Sequence, residues 1–196
     1  YRVAEIMEGR RAQFAELTGS DGEVDAAIDR WVWYAGWADK LSQVLGTSNA
    51  VAAPYFNFTI PEPTGVVAIV APEEPALAGL VSRLAPAVVG GNAAVVLASE
   101  RRPHAAITLA EVLATSDVPG GVVNLLTGYK DELAPVLAAH MDVNAIDLAG
   151  IDGDRAELER LAADNVKRVV RNGEGQSPWH AAAFLEMKTV WHPIGV

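Results

Sequence analysis

The chain has 196 residues, 51% of them apolar and 20% charged, with a formal net charge of −10. That is a globular composition, long enough for one good core or for a domain with an appendage. The acidic balance, with no Lys/Arg cluster beyond short pairs, argues against nucleic-acid or anionic-membrane partners. No apolar run reaches the roughly 18 residues of a membrane-spanning helix, and the lack of any cysteine excludes disulfides and thiolate metal sites and makes a cytoplasmic location the expectation.

In chain order, Tyr1–Leu17 reads as a helix with Val3, Ile6, Met7, Phe14 and Leu17 on one face. No N-cap is visible before it, so the chain is expected to begin inside an element. Gly19-Ser20-Asp21-Gly22 reads as a turn, and a second helix as running from about Glu23 to Val44. Three tryptophans there, Trp31, Trp33 and Trp37, are expected to be packing anchors rather than a ligand box. Tyr55–Ile60 alternates, with Phe56, Phe58 and Ile60 on one side and Asn57 and Thr59 on the other, as a half-exposed strand does.

The centre of the chain is Thr64–Gly128. Three β-branched apolar runs, Val66–Val70, Ala93–Leu97 and Val122–Leu126, alternate with two helical patterns. The first helix carries Leu77, Leu80, Val81, Leu84 and Val88; the second starts after Pro103 and carries Ile107, Leu109, Ala110, Val112 and Leu113. Strand–helix–strand–helix–strand at this spacing predicts a parallel sheet whose strands are buried on both faces. A helix over Glu132–Ala139, a strand over Ala145–Leu148, a helix over Asp154–Ala163 with Asp154 as N-cap, and a strand over Val166–Val170 extend the pattern.

Several residues have plain structural readings. Glu73-Glu74 is expected in a solvated loop after a strand. Gly90-Gly91-Asn92 is expected to close a helix with left-handed residues rather than to cradle a phosphate. His104, His140, His180 and His192 are scattered and predict no metal site. Ser82 lacks any nucleophile-elbow motif, and Lys40 and Lys188 read as solvated charges.

The motifs resemble those of the aldehyde dehydrogenase superfamily. They are Glu62-Pro63-Thr64-Gly65-Val66-Val67, Ala85-Pro86-Ala87, Gly91-Asn92, Ser99-Glu100, Pro119-Gly120-Gly121-Val122-Val123-Asn124 and Thr127-Gly128. The stretch Trp33–Lys40 resembles that family's second N-terminal helix. Asn165–Val169 with Gly175-Gln176-Ser177-Pro178 resembles its exit from the coenzyme domain. Phe184–Trp191 resembles its C-terminal strand, which completes a subunit-joining arm. The family's catalytic domain lies between those last two segments, and here five residues, 179–183, stand in its place.

The resemblance implies an α/β fold: a Rossmann-like open parallel sheet of five strands, helices on both faces, an N-terminal helical pair and a β oligomerisation arm. It implies N-terminal helices over 1–50, an arm from 51–63 and 179–196, and a coenzyme-type domain over 64–178. The family's chemistry needs a cysteine nucleophile, an oxyanion-stabilising asparagine and a glutamate base. This chain has no cysteine; Glu74 stands in the asparagine slot and Asn172 in the glutamate slot. Of the coenzyme contacts, Glu100, Gly128 and Gly150 remain as vestiges. Leu97 takes the lysine slot, and Asp152, Asp154 and Arg155 stand where a pyrophosphate turn would be.

The expectation is a non-catalytic, aldehyde dehydrogenase-like domain or subunit without a bound cofactor. It is expected to assemble with itself or with an active relative, as the degenerate second copy of a tandem protein would. Two alternatives are a residual NAD(H)-binding sensor, and a part of an active NAD(P)-dependent aldehyde dehydrogenase whose cysteine is supplied elsewhere.

Overall fold

A computed structural model describes every residue except Asn172, Glu174 and Val196. Three helices come first: α1 (Arg2–Gly9), α2 (Arg11–Thr18) and α3 (Asp21–Ala35). The expected single first helix is therefore two. It breaks at Arg10, just after Gly9, where helix propensity is poorest. The second helix starts earlier than expected because Ser20 caps it, its side chain accepting from the Glu23 N–H. It also stops earlier, at Gly36; turns follow, and then a short α4 (Leu41–Leu45).

The central unit is β3 (Val66–Val70), α5 (Ala76–Val89), β4 (Ala93–Leu97), α6 (Pro103–Ala114), β5 (Val123–Leu126), α7 (Lys130–Ala139), β6 (Ala145–Asp147), α8 (Ala156–Ala163) and β7 (Arg168–Val170). The five strands form a parallel sheet in the order β5-β4-β3-β6-β7. Alternate side chains of β3 and β4 face opposite cores. Val67, Ile69, Ala94 and Val96 pack with α5, α6 and the N-terminal helices. Ala68, Val70 and Leu97 pack with residues of α7 and α8. Two buried faces are why these strands read as unbroken apolar runs. The run Val122–Leu126 misleads in this respect: β5 is an edge strand, and its residues alternate between half-buried and exposed. Ile107 is likewise 49% exposed, while Ala105, Ala106, Leu109 and Val112 carry the buried face of α6. Of Gly90-Gly91-Asn92, only Gly91 is left-handed. Asn92 is buried; it accepts from the Gly65 N–H and donates to the Ala87 and Phe184 carbonyls.

A second sheet joins β1 (Thr47–Asn49), β2 (Tyr55–Pro63) and β8 (Leu185–Pro193), which follows α9 (Pro178–Ala182). The strands are antiparallel, and β2 pairs with β8 from Tyr55↔Pro193 to Pro63↔Leu185. The expected polar side of β2 is the more covered one. Asn57 is buried and accepts from Asn49 at 2.7 Å, whereas Phe56 is 48% exposed. Among the described residues no helix is long and apolar enough to cross a membrane.

Candidate functional site

The order of the parallel sheet reverses direction between β3 and β6. In open α/β sheets the crevice beyond the carboxyl ends of the strands at such a point is the binding position. Here it is bounded by the loops after β3, β4 and β6 and by the first turn of α7. Two clefts open there, of about 560 Å³ and about 190 Å³, and both are lined by Glu73, Arg101, Gly150 and Asp152.

Glu73 and Lys130 meet in this crevice as a direct ion pair. Their side chains are only 14% and 8% exposed. The ammonium also donates to the Gly150 carbonyl at 3.0 Å. The carboxylate accepts from Ser99 Oγ at 2.7 Å and from the N–H groups of Glu100 and Arg101 at 3.3 and 3.1 Å. Burial alone would raise its pKa. Lys130, Ser99 and the two N–H groups outweigh burial and hold the carboxyl down at about 2. The expectation of a solvated Glu73-Glu74 loop is thus corrected for Glu73; Glu74 stays half exposed and pairs with Arg102 at 3.2 Å.

Glu100 reaches the crevice, but its Oε1 accepts from the Lys130 backbone N–H, at the start of α7. Gly150 lies so close to the chain after β3 that an added Cβ would stand 2.0 Å from the Ala71 carbonyl oxygen. Its N–H donates to the Val70 carbonyl at 2.9 Å, so the glycine serves the crossing of two loops. Gly128 sits against the Leu133 side chain, beside α7. Leu97 is fully buried in the sheet. Asp154 accepts from the Ala156 N–H at 2.9 Å at the start of α8, and Arg155 folds back on the Ile151 carbonyl at 3.1 Å. Asp152 faces both clefts. Asn172, expected in the glutamate slot, lies outside the described residues.

Sequence reasoning missed Lys130; a lone lysine after Thr127-Gly128-Tyr129 carries no signal until the loops are brought together. It also missed Asp147, which is 1% exposed. Burial pushes this carboxyl above the usual range, against the opposing pull of Arg83, whose guanidinium stands 4.0 Å away. A third cluster joins α3 to α9. Tyr34 lies 3.3 Å from both the Ser177 carbonyl and His180 Nδ1. Burial, with a smaller contribution from Arg83, lowers the His180 pKa. Among the described residues no group of three or more His, Cys, Asp or Glu could hold a metal ion.

The resemblance implies NAD, and the residues present do not fit it. Glu100 and the N–H groups of Glu100, Arg101, Lys130 and Ala156, which border the crevice, are engaged with the chain itself. With no cysteine, the chain has no thiolate to attack a carbonyl.

The aldehyde dehydrogenase family model matches residues 2–191. Hydroxyisobutyraldehyde dehydrogenase of Mycolicibacterium austroafricanum is 32% identical over 185 residues, covering 90% of this chain and 36% of that protein. The putative aldehyde dehydrogenase DhaS of Bacillus subtilis (strain 168) is 29% identical over 188 residues, covering 91% of this chain and 37% of that one. Among solved structures, an NAD-dependent aldehyde dehydrogenase from Sinorhizobium meliloti superposes with a TM-score of 0.78 at 28% identity, covering 86% of this chain and 35% of that chain. A betaine aldehyde dehydrogenase from Staphylococcus aureus in complex with NAD+ gives 0.79 at 25% identity, with 86% and 35% covered. The chain thus spans little more than a third of the length of the curated relatives it matches. With its parallel sheet, its motif order and a family-model match that runs over residues 2–191, the chain belongs to the aldehyde dehydrogenase family.

Proposed function

We propose that this chain is a non-catalytic part of an NAD(P)-dependent aldehyde dehydrogenase, in which another unit supplies the cysteine and the coenzyme. Its own task is assembly through the β1–β2–β8 arm. The relatives are named as aldehyde dehydrogenases, which supports oxidation of an aldehyde as the activity of the whole. The observation that carries the assembly role is the arm itself. Phe56 and Trp191 are 48% and 57% exposed, and β8 is a nine-residue edge strand with no strand on its outer side among the described residues. Such an edge is a template for pairing with another chain, and exposed aromatic side chains beside it favour a protein partner over water.

The test uses light scattering on the wild-type chain and on a Phe56→Glu, Trp191→Glu variant. The wild type is expected as a dimer or higher species, and the variant as a smaller one. A wild-type monomer that also fails to co-purify with a cysteine-bearing homologue encoded beside it defeats the reading. Truncating β8 is a poorer test than it looks from the sequence, because Phe184 and Leu185 are core residues.

A further inference from the structure

We propose that the Glu73–Lys130 pair is a built-in partition that closes the crevice of this chain to a dinucleotide. The inference rests on the reading that coenzyme is held by another unit, and it assigns the residues responsible. A dinucleotide lies across the switch point, with its pyrophosphate on free N–H groups at a helix start. The chain opposes both conditions. The Lys130 side chain crosses from the first turn of α7 to Glu73 after β3 and to Gly150 after β6. The two clefts on this crevice share Glu73 and Gly150, while Lys130 lines only the smaller.

Several N–H groups at the helix starts are taken as well. Glu73 accepts those of Glu100 and Arg101, Glu100 that of Lys130, and Asp154 that of Ala156. At the start of α5, Glu23 reaches over from α3 and accepts from Leu77 and Ala78 at 2.6 and 3.2 Å. Carboxylates of the chain therefore stand at the starts of α5, α7 and α8, where a phosphate would dock. Both members of the partition are nearly buried. Pushing one aside would strand an unpaired charge, which a surface ion pair would not.

Removing Lys130 alone is a poor test, because Glu73 would then leave a net negative charge facing the pyrophosphate. The informative variant is Glu73→Ala with Lys130→Ala. It keeps the net charge unchanged and frees Ser99 Oγ and the N–H groups of Glu100 and Arg101. Glu73→Gln with Lys130→Met keeps the volume and loses the charges. Titration calorimetry with NAD on the full chain is expected to give no saturable heat at millimolar NAD for the wild type and for the Gln/Met pair. The folded Ala/Ala pair is expected to bind at least about tenfold more tightly. Saturable binding by the wild type overturns the proposal whichever variants fold. So does a folded Ala/Ala pair that gains nothing, or a Gln/Met pair that gains as much. Should Ala/Ala fail to fold, Glu73→Ser with Lys130→Ser opens the same space with polar groups and is read by the same criteria. None of these results bears on the mass of the assembly, which tests the arm separately.

Discussion

Arg168 and Glu186 stand 2.7 Å apart, and through them the parallel sheet is fastened to the antiparallel arm. Arg168 is the first residue of β7, at the sheet edge, and Glu186 is the second of β8. The same guanidinium donates to the carbonyls of Ala183 and Leu185, each at 2.9 Å, and to Thr64 Oγ1 at 3.3 Å. The carboxylate is exposed and contributes little, but the two carbonyls have fixed positions and lie beside the start of the strand.

Arg168→Met keeps the apolar stem and removes the donors. It is expected to cost about 1–3 kcal/mol in chemical denaturation, since carbonyl groups lose a charged partner. Amide exchange along 185–193 should quicken more than exchange in β3 or β4. Equal protection of β8 in variant and wild type would remove Arg168 from this role.

Gly150→Ala should be among the most damaging small substitutions. The new methyl would meet the backbone at Ala71, whose carbonyl carbon lies 2.4 Å from the ideal Cβ position, and backbone cannot rotate aside. A loss of at least about 3 kcal/mol is expected, against well under 1 kcal/mol for Gly120→Ala, which has open space around it. Thermal melts of the two variants side by side decide the matter.

Acid should loosen the crevice. Glu73 has a folded pKa of about 2, below its ordinary value of 4.5. A depressed carboxyl contributes stability that is fully present above the unfolded value and is lost as the pH falls toward the folded one. The contribution, on the order of 2 kcal/mol, should therefore fade between about pH 4.5 and pH 2. The wild type should lose more stability over that range than the Glu73→Gln, Lys130→Met variant, as read from urea midpoints at several pH values.

Tyr34→Phe should cost about 1–2 kcal/mol. The residue is 1% exposed, and its hydroxyl donates to the carbonyl of Ser177 at the start of α9. Burial raises the pKa of this phenol, so it stays a neutral donor through the physiological range. His180, whose pKa is lowered, should titrate below 6.5 in the wild type by NMR. A midpoint above 6.5 would show that the ring is not in the surroundings described.

The sheet was readable from sequence wherever the pattern is set by burial on two faces, as in Val66–Val70 and Ala93–Leu97. It was misread where a strand of the same composition lies at an edge, as in Val123–Leu126, because composition does not report neighbours. Helix stops at Gly9 and Gly36 were readable in principle, yet the apolar stripe running through them hid the breaks. The site was legible as a set of degenerate motif positions, and it yielded Glu74, Glu100, Gly128 and Gly150. What those positions now do was not legible. Glu73 and Lys130 are far apart in the chain, and a carboxylate next to another carboxylate reads as solvent-facing until a buried cation is seen beside it.

The place where the chain passes from the arm into the parallel sheet is also where it passes back. Pro63 pairs with Leu185, and the Thr64 N–H donates to the Phe184 carbonyl at 3.1 Å. Everything from 64 to 184 therefore hangs from a double-stranded stem whose two feet are adjacent. Feet that already touch can be joined by a short linker at little cost in chain entropy, but 64–184 is not a self-contained core, because Phe14, Val24, Trp31 and Tyr34 of the N-terminal helices pack into it. For the engineer the stem therefore marks a place where the chain can be re-joined only if α1–α3 travel with the parallel sheet.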